Sequence, residues 1–326
     1  MTTLIAEFCQ NHKGDRGALR EMIAAAHEAG ATHAKIQTAF ADDLVKRDRF
    51  EEGITDEHGV VQVIKRPYGA EYARLRPMDL TMDDYAWFVD ECQRVGIRPL
   101  TTIFTRGRVK DMVALGWKEV KVASFDGASL PLIRSLAQHF SHLFISTGTC
   151  YDWEVERTAQ ALGIHSFSFL HCVSIYPTPL AEAHLNRMRW LRRFTPSVGF
   201  SDHTLVARDG IKASLAALAM GADVIERHFT ILPPEETKDG PVSIGPKELK
   251  ELAAFAKLPI HARHAEARRM IPEFTAMLGS ETRPLSHAEM LNRDYYRGRF
   301  ASRDAQGAVV WNWDENVSLP GEPGAA

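Results

Sequence analysis

The 326-residue sequence lacks several features that mark membrane, secreted and nucleic-acid-binding proteins. It has no run of 18 apolar residues, and its N-terminus, M-T-T-L-I-A-E-F, has no basic segment ahead of an apolar one. We therefore expect neither a membrane span nor a signal peptide. It also has no dense cluster of Lys and Arg, and its net charge is only -3. This balance argues against nucleic acid or a membrane as a partner.

Cysteine is scarce and shows no pattern. The four cysteines, Cys9, Cys92, Cys150 and Cys172, have no C-x-x-C spacing, and a chain of this length does not depend on disulfides for stability. We interpret them as reduced thiols in a cytoplasmic protein. A glycine-rich phosphate fingerprint is also missing after the first predicted strand, which argues against a dinucleotide-binding sheet.

The sequence does contain one pattern repeated eight times: a short apolar run followed by an amphipathic stretch that often ends at a glycine. Eight such units predict a (β/α)8 TIM barrel over residues 1–270, in preference to an open doubly wound sheet. The predicted strands are T-L-I-A-E-F, H-A-K-I-Q-T, R-P-L-T-T-I-F, E-V-K-V-A-S, H-L-F-I-S-T, S-F-S-F-L-H-C-V, S-V-G-F-S-D and V-I-E-R-H-F-T. The predicted helices cover residues 15–29, 82–95, a stretch ending at 115, 130–139, 152–162, 182–193, 208–220 and 247–269.

Two regions do not follow this strand–helix pattern. Residues 42–77 form a long insertion after the second strand, and a loop of that length usually serves as a lid or a binding segment. Beyond residue 270, runs such as G-A-V-V-W-N-W predict a short, β-rich C-terminal segment over residues 271–326, which closes with a loose P-G-E-P-G-A-A tail.

Two histidines lie at the ends of the last two predicted barrel strands, His203 in S-D-H-T and His228 in E-R-H-F-T. The carboxyl ends of adjacent parallel strands lie side by side, so the two imidazoles can converge on one point. Such a pair suits a divalent metal whose remaining ligands are water or substrate, although a single buried histidine is more often structural. Glu226, two residues before His228, would project into the same site.

Lysine occurs inside two of the apolar strands, Lys35 in A-K-I-Q and Lys121 in V-K-V-A-S. Burying a lysine is costly without an anionic partner, so either one could belong to a structural ion pair. Together with hydroxyl groups at the other strand ends, the two lysines predict a cradle for a phosphate or a phosphorylated acid. The hydroxyl residues are Thr102, Ser124, Ser146, Ser174 and Ser201.

Four further polar residues near strand ends are candidates for the site. Glu7 is a possible acid or base at the end of the first strand, and equally a partner for Lys35. Gln37 and Tyr176 belong to the second and sixth units. Asp239 lies in the turn-rich loop P-P-E-E-T-K-D-G-P, where an aspartate is more often solvated than functional.

Taken in order, seven segments resemble the sialic acid synthase (N-acetylneuraminate synthase) family: A-E-F-C-Q-N-H-K-G-D, A-K-I-Q-T, V-K-V-A-S, I-S-T-G, L-H-C-V-S-I-Y-P-T-P, V-G-F-S-D-H-T and V-I-E-R-H-F-T. The resemblance spans the whole predicted barrel. It implies condensation of phosphoenolpyruvate with an N-acylhexosamine-like sugar aldehyde to give a sialic-acid-like (nonulosonic) or related 2-keto-3-deoxy sugar acid and phosphate. It also implies a divalent metal ion, for which Mn2+ is the first candidate and Mg2+ and Co2+ are alternatives.

The resemblance further implies roles for the residues above. His203 and His228 would ligate the metal, with Glu226 close to it, and either a metal-bound water or Glu7 would activate the attacking water. The catalytic candidates are Glu7, Lys35, Lys121 and Glu226. The substrate-binding candidates are Gln37, Thr102, Ser124, Ser146, Ser174, Tyr176, Ser201 and Asp239.

The sequence departs from the family pattern in three places. T-K-D-G-P replaces G-P-D around Asp239, and T-I-F replaces T-P-F in the third strand. Only residues 297–310 look like the opening of the antifreeze-like domain with which these synthases end, so we interpret residues 271–326 as a remnant of it. We therefore expect an acceptor that differs from N-acetylmannosamine or is recognised differently, and a homodimer stays open. A metal-dependent sugar aldolase or isomerase and a non-catalytic binding subunit are the alternative functions.

Overall fold

The computed structural model describes residues 2–317 and residue 319. The strands are β1 (Thr3–Glu7), β2 (His33–Thr38), β3 (Ile54–Thr55), β4 (Val61–Val63), β5 (Arg98–Ile103), β6 (Glu119–Val122), β7 (His142–Ser146), β8 (Phe167–His171), β9 (Val198–Asp202), β10 (Val224–His228), β11 (Ser302–Arg303) and β12 (Val309–Val310). The helices are α1 (Arg16–Glu28), α2 (Arg49–Glu52), α3 (Tyr68–Leu75), α4 (Met82–Val95), α5 (Val109–Ala114), α6 (Leu130–His139), α7 (Asp152–Leu162), α8 (Arg187–Leu191), α9 (Val206–Asp209), α10 (Lys212–Ala219), α11 (Pro246–Ala256), α12 (Ile260–Met270) and α13 (His287–Tyr296).

Eight parallel strands close into a barrel in the order β1, β10, β9, β8, β7, β6, β5, β2. Helices follow the strands and pack their apolar faces against the outside of the barrel, where the main hydrophobic core lies. This confirms the predicted (β/α)8 barrel, and the open sheet considered as its alternative is wrong.

A separate apolar layer fills the barrel interior and forms the floor of the site. It consists of Ile5, Leu100, Phe144, Leu170 and Val224, all buried. Side chains two positions apart on a strand point to the same side. The residues two positions further along β1, β5, β7 and β10 therefore stand directly above this floor, and each of them is polar.

The strand register places distant residues in neighbouring rows. Strand β1 pairs with both β2 and β10, which aligns Glu7 with Lys35 on one side and with His228 on the other. Strands β5 and β6 align Thr102 with Lys121 in the same way. The barrel topology therefore assembles charged residues that lie far apart in the sequence.

The insertion, residues 42–77, is ordered by the C-terminal segment. It contains α2, the β3–β4 hairpin and α3. Its Arg47 guanidinium donates to the backbone carbonyls of Asp294 and Arg297, at 3.2 and 3.1 Å. The backbone N–H of Val45 donates to the Arg299 carbonyl at 3.0 Å. The two regions form one wall above the barrel.

The prediction of a β-rich C-terminal segment is wrong for the described residues. Its main element is helix α13, and its two strands have only two residues each. The helix begins at a capping box in which the Ser286 side chain accepts from the Glu289 N–H and the Glu289 carboxylate accepts from the Ser286 N–H. Arg293 then fastens the helix to the barrel through a 2.6 Å ion pair with Glu154. The loose tail predicted over residues 320–326 lies outside the described residues.

Three predicted helices have different bounds. Residues 182–193 yield only α8, because the positive φ of His184 (46°) interrupts the backbone before it. Gly210 (φ 56°) separates α9 from α10 within the single helix predicted for 208–220. Pro259, which cannot donate a backbone N–H, separates α11 from α12. No helix in the described part of the chain is both long and apolar enough to cross a membrane.

Candidate active site

A cavity of about 330 Å³ lies at the carboxyl ends of the barrel strands, and every barrel strand or its following loop contributes to it. All fourteen predicted site residues line this cavity: Glu7, Lys35, Gln37, Thr102, Lys121, Ser124, Ser146, Ser174, Tyr176, Ser201, His203, Glu226, His228 and Asp239. The fold therefore brings the complete predicted set together. The individual roles of these residues remain predictions.

Two buried lysines face two buried carboxylates at the base of the cavity. Lys35 Nζ contacts the Glu7 carboxylate and lies 3.2 Å from Glu226 Oε1, while Lys121 Nζ lies 3.5 Å from Glu226 Oε2. Burial lowers the pKa of Lys35 to about 8. Burial alone would raise the pKa of Glu226, but Lys121 and Lys35 lower it well below its usual value. The pairing of Glu7 with Lys35, one of its two predicted roles, is present in the structure.

Hydroxyl groups extend this charged network around the base. Lys121 Nζ donates to Ser146 Oγ at 2.5 Å, and the Ser201 hydroxyl donates to Glu226 Oε2 at 2.7 Å. The buried Ser174 hydroxyl has no hydrogen-bond partner within the described residues. An unpaired buried hydroxyl is costly, so Ser174 is available to a ligand. A Cβ added to Gly148 would lie only 2.5 Å from Ser174 Oγ, so a residue with a side chain at position 148 would clash with the Ser174 hydroxyl.

The two predicted metal-ligating histidines are neighbours. The ring centroids of His203 and His228 lie 5.4 Å apart, and the Nδ1 atom of each is buried without a partner among the described residues. Burial lowers the pKa of both imidazoles, that of His203 well below its usual value. Both rings are therefore neutral near pH 7, which is the form that binds metals.

The tightest group of potential metal ligands in the described chain is not the histidine pair alone. Donor atoms of Cys9, His228 and Asp239 all lie within 4.8 Å of one another, and the Cys9 thiol donates to Asp239 Oδ2 at 2.9 Å. Cys9 also has a positive φ of 47°, which is unusual for a residue other than glycine. Cys9 was not among the site residues predicted from the sequence, although its position two residues after Glu7, at a strand end, was a usable signal.

Most side chains of the cavity's outer wall were not predicted, although the insertion was expected to be a lid or a binding segment and Asp239 was assigned to the site. The wall is formed by the insertion, by the loop after β10 and by the C-terminal segment, none of which has the periodicity that identified the barrel strands. The polar residues that these parts add to the cavity lining are Arg66, Arg74, Lys238, Asn292, Tyr296 and Arg299. Asn292 is anchored by a 2.7 Å bond from its amide nitrogen to the Ser174 carbonyl.

A barrel of this type with buried ionisable groups at the carboxyl ends of its strands is the arrangement of an enzyme, because active sites of this fold lie on that face. The protein is thus a (β/α)8 barrel enzyme. A family model described as the NeuB family matches residues 22–262, and the chain belongs to that family. This confirms the resemblance found in the sequence.

Similar proteins and structures agree with the family. N,N'-diacetyllegionaminic acid synthase from Legionella pneumophila is 33% identical over 261 residues, which is 76% of this chain and 69% of that one. Pseudaminic acid synthase from Campylobacter jejuni is 26% identical over 326 residues, 96% of this chain and 85% of that one. The crystal structure of spore coat polysaccharide biosynthesis protein SpsE from Bacillus subtilis has a TM-score of 0.69 at 25% identity and covers 93% of this chain and 78% of that one. The chain is an enzyme of the sugar acid synthase type.

Proposed function

We propose that this enzyme condenses phosphoenolpyruvate with a sugar aldehyde to form a 2-keto-3-deoxy sugar acid, with release of phosphate. The observation that carries the proposal is a single cavity with two halves, one of buried lysines and hydroxyls and one of neutral imidazoles beside a carboxylate and a thiol. An N-acylhexosamine-like acceptor would give a nonulosonic acid. Relatives whose names end in legionaminic acid or pseudaminic acid synthase support this product class.

The lysine half suits the phosphate and carboxylate groups of phosphoenolpyruvate. Lys35 and Lys121 supply positive charge, while Ser146 and the unpartnered Ser174 supply hydroxyl donors. Without a ligand, Glu7 and Glu226 neutralise the two lysines. We expect bound phosphoenolpyruvate to replace part of these contacts, because its negatively charged oxygens can pair with the same two ammonium groups.

The other half fits a divalent metal ion. Two neutral imidazoles with unpartnered nitrogens, His203 and His228, stand beside the carboxylate of Asp239, and the Cys9 thiol adds a further donor. Nitrogen ligands argue against Mg2+, which prefers oxygen alone. Among the remaining divalent ions we take Mn2+ first, because the family resemblance implies it, and Co2+ second. When bound there, the ion would polarise the aldehyde carbonyl as a Lewis acid.

In the proposed reaction, C3 of the enol phosphate forms a bond to the aldehyde carbon, whose oxygen takes up a proton and becomes a hydroxyl. Positive charge then develops at C2, next to the carboxylates of Glu7 and Glu226. Water adds to C2 and loses a proton to Glu7, which Lys35 holds in place. The bond between C2 and the bridging oxygen breaks, the new C2 hydroxyl passes its proton to the departing phosphate as C2 becomes a ketone, and the phosphate leaves beside Lys121 and Ser146. The proton taken by Glu7 balances the one that the aldehyde oxygen took up.

Phosphate release is the direct test of this function. Purified protein with Mn2+, phosphoenolpyruvate and a panel of sugar aldehydes should release one phosphate per 2-keto-3-deoxy acid formed. Phosphoenolpyruvate with 18O at its bridging position should place the label in phosphate, because the C–O bond breaks. Turnover of a sugar without phosphoenolpyruvate would favour the aldolase or isomerase alternative. Absence of any phosphate release, with every acceptor tried, would favour the non-catalytic subunit.

The pKa of Lys35 predicts how phosphoenolpyruvate binding depends on pH. Burial lowers this pKa to about 8, so the ammonium is charged below that pH and loses its proton above it. The KM for phosphoenolpyruvate should therefore rise about tenfold per pH unit once the pH exceeds about 8. Steady-state kinetics across this range measure the slope. A Lys35→Arg variant, whose guanidinium stays charged, should show a flat profile, and an equally steep rise in that variant would contradict the assignment.

A further inference from the structure

The mouth of the cavity carries positive charge that the proposed reaction does not use. Four basic residues from three separate parts of the chain line it, and we call them the rim cations: Arg66, Arg74, Lys238 and Arg299. Arg66 and Lys238 are exposed, and Arg74 and Arg299 are partly buried. Lys35 and Lys121 are 2% and 3% exposed, so the rim cations lie nearer to solvent than the lysines at the base.

Two of the rim cations share a single carboxylate. Glu71 accepts from Arg74 Nη2 at 3.0 Å and from Arg299 Nη2 at 2.7 Å through the same oxygen, Oε2. Burial alone would raise the pKa of Glu71, but these two arginines and Lys238 lower it to about 2. The carboxylate is therefore fully ionised. Together with Asp239, which also attracts Arg74, it offsets two of the four rim charges and leaves a positive surplus.

The other two rim cations have no carboxylate partner within the described residues. The side chain of Lys238 makes neither an ion pair nor a hydrogen bond there, and the Arg66 guanidinium donates only to the carbonyl of Lys65, at 3.1 Å. Although the Lys238 side chain reaches solvent, partial desolvation at the cavity mouth lowers its pKa, and repulsion by Arg74 and Arg299 lowers it further, while Glu71 and Asp239 raise it. Such repulsion is unfavourable in the free protein, and an anion bound between the cations would relieve it.

The two arginines are held in place before any ligand binds. Arg74 Nη1 donates to Gln10 Oε1 at 2.7 Å, in addition to its bond with Glu71. The Arg299 guanidinium lies 5.6 Å from the ring centre of Tyr296 and 4.9 Å from that of Phe300. Guanidinium groups fixed in this way bind phosphate or carboxylate oxygens with little further loss of side-chain entropy.

We infer that the rim cations form a subsite for an oxyanion on the acceptor, so that the acceptor is a sugar aldehyde bearing a phosphate monoester or a carboxylate at the end remote from its aldehyde. This inference rests on the proposed function, which assigns the aldehyde to the histidine half and phosphoenolpyruvate to the buried lysines. An acceptor that spans the cavity would then place its far end at the rim. The positive surplus favours a doubly charged phosphate over a carboxylate.

Matched pairs of acceptors test the subsite. Phosphate release from phosphoenolpyruvate is compared for a neutral hexosamine, its 6-phosphate and the corresponding uronic acid. We expect kcat/KM to be about 100-fold higher for the better of the two acidic acceptors than for the neutral one, since each charge-assisted contact is worth about tenfold. Which acidic acceptor is preferred separates phosphate from carboxylate.

Two variants of similar side-chain length, Lys238→Met and Arg66→Met, remove charge from exposed side chains that form no ion pair within the described part of the chain. Each should lower kcat/KM for the acidic acceptor about tenfold, while the values for the neutral acceptor and the KM for phosphoenolpyruvate change less than about twofold. Lys13→Met is the control. Lys13 pairs with the exposed Glu236 at 2.6 Å on the same side of the barrel and does not line the cavity, so this variant should keep the preference.

Three results would overturn the subsite. Equal kcat/KM for neutral and acidic acceptors would leave the proposed function standing and remove the subsite alone. A rise in the KM for phosphoenolpyruvate in Lys238→Met would mean that the rim cations attract all anions without forming a specific site. The same conclusion would follow if Lys13→Met lowered kcat/KM for the acidic acceptor as much as Lys238→Met does. If no acceptor, whether neutral or acidic, led to phosphate release, both the proposed function and the subsite would be wrong.

Discussion

Replacing His228 with alanine is expected to abolish bound metal and to lower kcat/KM about 1,000-fold or more, because a Lewis acid at the carbonyl is worth several kcal/mol. His228 belongs to the tightest group of donor atoms in the described chain, together with Cys9 and Asp239. His203 lies beside that group, with its ring centre 5.4 Å away from that of His228. We therefore expect His203→Ala to remove metal as well, but with a smaller loss of affinity than His228→Ala.

Metal content by elemental analysis and binding by calorimetry give readouts that do not depend on turnover. The fold should persist in both variants, because the Nδ1 atoms of His203 and His228 make no hydrogen bond to any residue that the structure describes. His142→Ala is the matched control. His142 begins β7 at the opposite end of the barrel, where it bonds to the Ser166 and Ser168 hydroxyls at 2.8 and 2.9 Å. Undiminished metal in His228→Ala, or equal losses in His142→Ala, would exclude the histidine site.

Strand chemistry explains why so much of the site was predictable. Lysines within apolar strands and histidines at strand ends stand out because residue alternation fixes which side they face. A closed parallel barrel then gathers all strand ends on one side. Glu7, Lys35 and His228 could therefore be assigned to one site before any coordinates, and the register of β1 with β2 and β10 places them in adjacent rows.

The unpredicted parts share a different cause. Arg74 and Arg299 reach the cavity through the shared partner Glu71, and neither the spacing nor the local pattern of their sequences encodes that contact. Helix α13 was not predicted, because V-V-W-N-W, part of which does form the short strand β12, led us to expect a β-rich segment throughout. The helix itself begins at the Ser286–Glu289 capping box. Long loops and segments that depend on non-local contacts were thus the limit of the sequence analysis.

The C-terminal segment also changes how acceptor recognition is explained. From the sequence we expected an acceptor that differs from N-acetylmannosamine or is recognised differently, because only residues 297–310 resembled the family's last domain. In the structure, Arg299 and Tyr296 line the cavity of their own chain, and Arg293 ties their helix to Glu154 of the barrel. These residues therefore reach the cavity from within their own chain, and the identity of the acceptor stays a prediction.

Replacing Lys121 with methionine is expected to lower kcat/KM for phosphoenolpyruvate about 1,000-fold, because a buried charge that meets the departing phosphate contributes several kcal/mol in the transition state. Lys121 Nζ donates to Ser146 at 2.5 Å and lies 3.5 Å from Glu226. Glu226 keeps two partners in this variant, Lys35 at 3.2 Å and Ser201 at 2.7 Å. The free energy of unfolding should therefore fall by only about 1 to 3 kcal/mol, less than for an ion left wholly unpaired.

Thermal unfolding with and without phosphoenolpyruvate distinguishes a phosphate ligand from a purely structural ion pair. The parent protein should be stabilised by saturating phosphoenolpyruvate, as any ligand that binds only the folded state stabilises it, and the Lys121→Met variant should lose that shift. Lys118→Met removes the same charge three residues earlier, at an exposed position outside the cavity, and should keep both the shift and the activity. If Lys121→Met lost stability yet retained the full ligand-induced shift, Lys121 would serve only to neutralise Glu226, and the phosphate would have to bind through Lys35 and the hydroxyls alone.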